Sequence, residues 1–146
     1  MYNQSMITEP NRWIKIARDL CMAHTYTKSL TSHHVALVVN GGNLISVGYN
    51  DLFNMSIRFD RLAAKLAGRT QNENHAEASS IMKALRHGPV KGMKMYVVRV
   101  RSNGELAMSR PCQYCMPTVF NAGIRRVIYS TNDGWCESVA RHQVVL

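Results

Sequence analysis

The stretch Met95-Tyr96-Val97-Val98-Arg99-Val100 most constrains what this chain can become. It is almost wholly apolar, the pattern of a strand buried on both faces. Such a strand needs a cover on each side of its sheet, so the rest of the chain must supply two outer layers. Helical spacing of Trp13, Ile16, Ala17, Leu20, Cys21 and His24 predicts a first helix, with Pro10 or Asn11 near its start. A second helix is expected from near Asn74 through Ile81, Met82 and Leu85 to His87, where Gly88-Pro89 stops it. A third is framed by Pro111-Cys112 and Gly123.

The remaining strands follow from shorter signals. Val35 to Val39 and Leu44 to Tyr49 are apolar runs around Asn40-Gly41-Gly42-Asn43, a hairpin turn in which glycine supplies positive φ. Arg126 to Ser130 reads as a strand, and Asn132-Asp133-Gly134 as a turn into a short last strand near Glu137–Val145. Only 15 residues follow Thr131. A parallel crossover needs a dozen or more residues before its strand begins, so the last two strands should be antiparallel. The order α-β-β-α-β-α-β-β predicts an α/β fold, a three-layer α/β/α sandwich around a five-stranded mixed sheet. Residues 51–73 are the least regular part.

At 146 residues the chain suits one domain, 1–146. With 46% hydrophobic and 18% charged residues it can bury a core, which excludes a disordered chain. No apolar run reaches the ~18–20 residues of a membrane span, and Met1 to Pro10 is polar. A cytoplasmic protein with no membrane partner is expected. Lys and Arg number 18 against 9 Asp and Glu, a net charge of +9 that draws anions such as nucleotides or nucleic acid, or simply solvates the surface. Arg58, Arg61, Lys65 and Arg69 recur every three or four residues. They are candidates for binding phosphate, or form a solvated helix face. Of the four cysteines, Cys21 fits buried packing within the first helix and Cys136 carries no assignment. His24 reads as a packing or surface histidine.

The close pair Cys112 and Cys115 has the C-x-x-C spacing with which two thiolates grip one metal. Each element of the chemistry stands at an expected helix start, where the dipole favours thiolate. With His75 the pair makes three protein ligands for zinc, and a fourth position left to water marks a catalytic site. Glu77, two residues beyond His75, is near enough to move that water's proton without binding the metal. Taken singly, each signal has a plainer reading. A C-x-x-C can be redox-active or half of a structural site, His75 can line a core, and Glu77 can complete a capping box with Asn74.

The combination His75-Ala76-Glu77 followed by Pro111-Cys112-Gln113-Tyr114-Cys115 resembles the cytidine/deoxycytidylate deaminase superfamily, from about residue 34 to about 130. Tyr96-Val97-Val98-Arg99, Gly104-Glu105-Leu106 and Ser109-Arg110-Pro111-Cys112 are most similar to its small viral and microbial members. The resemblance implies Zn2+ on His75, Cys112 and Cys115, with Glu77 as proton shuttle. It implies a sugar contact by Asn50, from Gly48-Tyr49-Asn50, and a base pocket lined by Ala76, Ser109 and Pro111. It also implies a homo-oligomer. Its deoxycytidylate and tRNA-adenosine branches end in a helix and a parallel strand, whereas the antiparallel tail expected here is that of free-cytidine deaminases.

The leading expectation is hydrolytic deamination of a cytosine nucleotide, dCMP to dUMP, with the basic stretch holding the phosphate. Cytidine or deoxycytidine comes next, favoured by the tail. A tRNA or single-stranded DNA deaminase would use the +9 charge, with Phe53, Phe59 and Trp135 as candidates for stacking bases. A non-enzymatic nucleic-acid-binding domain with a structural zinc would leave Glu77 without a role.

Overall fold

The computed structural model describes residues 3–7, 12–25, 32–50, 76–112 and 115–140. Among the described residues the elements are β1 (Asn3–Ile7), α1 (Arg12–Thr25), β2 (Ser32–Asn40), β3 (Asn43–Tyr49), α2 (Ala76–Leu85), β4 (Lys94–Arg101), β5 (Leu106–Ala107), α3 (Cys115–Ala122), β6 (Arg126–Thr131) and β7 (Gly134–Val139). The sheet runs β1-β7-β6-β4-β2-β3, with β5 pairing beside β4. Among the described residues β4 and β6 are the parallel pair and the other pairs are antiparallel, β6 with β7 among them. The five strands expected from the sequence form a continuous run in this sheet, β7-β6-β4-β2-β3, and β1 and β5 are additions to it.

As its apolar run requires, β4 is covered on both sides. Tyr96, Val98 and Val100 face α1, packed with Val35, Leu37 and Ile128 and with Ile14, Ala17 and Cys21 of the helix. Met95 and Val97 face the other way, into a second core with Ala36, Val38 and Tyr129, closed by Ile81 of α2 and by Val119 and Phe120 of α3. The three layers are therefore α1, sheet, and α2 with α3. Trp135 is buried in the α1-side core, which is its packing role; Phe53 and Phe59 lie outside the described residues.

Element ends differ from expectation for local reasons. The last strand opens at Gly134, three residues early, because a two-residue turn lets Thr131 pair directly with Gly134. The amides of Arg86, His87 and Gly88 bond three residues back, to Lys83, Ala84 and Leu85, so α2 closes in a tightened turn before His87. The described part of α3 begins at Cys115, and Cys112 caps that helix from outside it. In the β2–β3 hairpin Gly41 has φ +59, the first central position of a type II′ turn. Among the described residues no helix is long and apolar enough to cross a membrane.

Cys21 is fully buried on α1, its Sγ donating to the His33 carbonyl at 3.1 Å. Burial pushes its thiol up to about 12. Unfolded, the thiol loses its proton near its ordinary value of 9.0, so the unfolded state binds fewer protons above that pH and stability falls between about 9 and 12. At pH 8, Cys21 is expected to resist iodoacetamide in the native protein and to react in guanidinium. Fast native alkylation of Cys21, read by mass spectrometry, would contradict this placement.

Candidate active site

The site forms where strand ends meet two helix starts. On β3, Gly48 lies directly under the first turn of α2. A Cβ at this position would collide with the Ala76 carbonyl oxygen and the Ser80 nitrogen and stand 2.9 Å from the Ser79 Cβ. Glycine thus allows the helix backbone to rest on the strand backbone. Ser46 Oγ donates to Ser80 O at 2.7 Å and Lys83 Nζ to Val47 O at 2.9 Å, fastening the helix on either side. Ser80 Oγ donates to Glu77 O at 3.0 Å. These contacts hold Glu77 in the first turn of α2 at 5% exposure, where the helix dipole favours its negative charge.

Asn50 follows β3 and is locked to the start of β2. Its Oδ1 accepts from the His34 amide at 2.9 Å, and its own amide donates to His34 O at 3.3 Å. The neighbouring Tyr49 turns to the other face, packed against the His24 ring at a centroid distance of 4.5 Å. Burial raises the Tyr49 phenol above its ordinary value, with a smaller push from Cys21.

The segment from Met108 to Cys112 is anchored by two serines. Ser109 Oγ donates to Val97 O at 2.9 Å and accepts from Ser130 N at 2.9 Å. Ser130 Oγ donates to Ala107 O at 2.8 Å and accepts from Arg99 N at 3.0 Å. Each hydroxyl thus has one donation and one acceptance within the framework. Three residues after Ser109, Cys112 takes the cap position of α3. Its carbonyl accepts from Met116 N at 2.9 Å and its Sγ from Cys115 N at 3.3 Å. Cys115 is fully buried, and both cysteines are free thiols. Two reduced sulfurs, one of them accepting an amide bond at a helix start, suit a thiophilic ion such as zinc.

A cavity of about 180 Å³ opens among these parts, lined by His34, Asn50, Ala76, Glu77, Met108, Ser109, Arg110 and Cys112. Five of these are residues that the sequence singles out: Asn50, Ala76, Glu77, Ser109 and Cys112. Pro111 is buried beside them and does not line the cavity. The Ser109 hydroxyl is committed to the sheet. His75, Arg58, Arg61, Lys65 and Arg69 lie outside the described residues. His34, Met108 and Arg110 were missed. Arg110 and Met108 sit within four residues of Cys112, and that proximity was a usable signal; His34 gave none, because only strand pairing brings it here.

The sequence matches the family described as the cytidine and deoxycytidylate deaminase zinc-binding region over residues 8–131. The chain belongs to that family and is a deaminase of its class. No curated protein matches it. Among solved structures, cytidine deaminase from Mycobacterium leprae is similar with a TM-score of 0.53 and 22% identity, over 86% of this chain and 92% of that one. The dCMP deaminase of cyanophage S-TIM5, solved in complex with dCMP and dUMP, is similar with a TM-score of 0.50 and 18% identity, over 83% of each chain. These two likenesses concern the fold.

The contact at Gly48 sets an expectation. Gly48→Ala should cost about 1–3 kcal/mol, as overpacking does, and displace the turn that carries Glu77. Gly42→Ala, whose Cβ would meet only Arg12 Nη2 at 3.6 Å, should stay within about 0.5 kcal/mol of the parent. Urea unfolding of the two variants measures the difference.

Proposed function

We propose that this chain catalyses hydrolytic deamination of a cytosine nucleotide, dCMP to dUMP. The observation that carries the reading is a nearly buried carboxylate, Glu77, lining one cavity with Cys112 and Asn50. Zinc would be held by His75, Cys112 and Cys115; when bound, it would lower the pKa of a water to ~7, so that hydroxide is available at neutral pH. Glu77 takes a proton from the water that adds to C4 of the base and passes it to N3. It then takes the proton of the new C4 hydroxyl and passes it to the exocyclic nitrogen. The C4–N bond breaks, ammonia leaves, and the base becomes uracil. Burial of Glu77 keeps these transfers from bulk solvent, and Asn50, fixed by the His34 amide, offers a rigid contact for the sugar.

A second reading, deamination of free cytidine or deoxycytidine, draws on the antiparallel pairing of β6 with β7. Initial rates on cytidine, deoxycytidine, CMP, dCMP, adenosine and a cytosine oligonucleotide separate the readings, with ammonia release as the signal.

Glu77→Gln should keep the fold and the metal and lose at least ~10²–10⁴-fold in kcat, the span of general acid–base catalysis. Retention of more than about a tenth of the parent rate would remove Glu77 as the shuttle. Cys112→Ala should abolish zinc uptake measured by elemental analysis, since two remaining ligands do not hold the ion against a chelator. Full zinc occupancy in Cys112→Ala would mean that the ion sits elsewhere.

A further inference from the structure

Arg99 is a cation that the reaction above does not use. It lies on β4 directly opposite His34 of β2. Strand alternation puts both on the α2–α3 face, the side of Val97, Ala36 and Val38. Asn50 continues the same row, being joined to His34 by the two hydrogen bonds given above. One row across three strand ends therefore reads Asn50, His34, Arg99, and the first two line the cavity.

Nη1 of Arg99 reaches the Met108 carbonyl at 3.5 Å, a long contact to a residue of the cavity wall. Its Nε is buried with no hydrogen-bond partner, and no carboxylate among the described residues pairs with it. Guanidinium stays charged at any working pH and presents five donors in a planar fork. A half-buried fork with an idle donor, facing a histidine across the strands and backing a wall that also carries Arg110, is electrostatically incomplete. Arg99 stands behind the lining and not in it, and an anion at this edge of the cavity would offset its charge through the Met108 wall.

We propose that Arg99, with Arg110 on the cavity wall, forms an anion seat that takes the phosphate monoester of a pyrimidine nucleotide. Arg99 is then a specificity-determining residue, and phosphate recognition is built on the sheet itself. This inference rests on the deaminase reading for its substrate, but the seat can be tested separately.

The zinc-loaded chain and its Arg99→Gln and Arg99→Lys variants are assayed on dCMP, deoxycytidine and a cytosine oligonucleotide. The parent is expected to prefer dCMP to deoxycytidine in kcat/KM. Arg99→Gln should reduce that preference by ~10-fold or more, mainly through KM for dCMP, as loss of a charged hydrogen bond does. Arg99→Lys should recover part of it, keeping the charge without the fork. Because the ratio is the readout, general loosening of the Met108 wall cancels. An equal fall on both substrates would overturn the proposal and leave Arg99 as a prop for Met108. Preference for the oligonucleotide over dCMP would overturn the monoester assignment. Calorimetric titration of dCMP and deoxycytidine into Glu77→Gln, with and without Arg99→Gln, reads the seat without turnover. Phosphate-dependent binding that Arg99→Gln removes supports the seat even if no substrate is deaminated, an outcome that would sink only the deaminase reading. Equal binding of the two ligands overturns the seat.

Discussion

Everything at the site depends on how the sheet closes its own fork beyond Val97. Up to that point β4 pairs with β6 in parallel, Val97 opposite Tyr129. Two residues later the same edge of β4 pairs with β5 instead, Arg99 opposite Ala107. Backbone groups at such a divergence would be buried without partners, which folded proteins rarely tolerate. The hydroxyls of Ser109 and Ser130 fill the gap, standing between Val97 O, Ser130 N, Ala107 O and Arg99 N. The chain leaves this fork at Ser109 and reaches Cys112 three residues later, so the thiol inherits the rigidity of the sheet.

A second fixed point balances the first. Gly48 brings α2 into backbone contact with β3, and Ser46 and Lys83 hold the helix there. Glu77 is held against β3 on α2 and Cys112 follows β5, and both end at the same cavity. Both helix starts border that cavity, α2 through Ala76 and Glu77 and α3 through its cap Cys112, with α2 and α3 on one side of the sheet and α1 on the other. Helix dipoles then point their positive ends at the place where a carboxylate and thiolates are wanted. Fold and chemistry meet in that geometry.

The electrostatic character of the site comes from the strand ends as much as from the helices. His34 and Arg99 share a row, and Arg110 follows the fork. Against them Glu77 is the acidic group of the cavity wall. The net charge of +9 attracts anions to the whole molecule, whereas this local arrangement gives such an anion a defined place.

The sequence by itself determined the layers and singled out Glu77 and Cys112, which line the cavity. The apolar run in β4 demanded cover on both faces, the glycine turn fixed the β2–β3 hairpin, and H-x-E with P-C-x-x-C marked Glu77 and Cys112 through spacing along one chain. Those are local properties, legible because helix starts and tight turns use neighbouring residues. Tertiary structure decided the rest. β1 is a polar edge strand that exists only through its ladder with β7, and β5 is two residues long. Neither carries a periodic signal of its own. His34, Met108 and Arg99 became site residues through cross-strand register and through a carbonyl contact, and Ser130 became a structural link through the fork. Register is set between strands distant in sequence, and a one-residue slip would send each of those side chains to the opposite face.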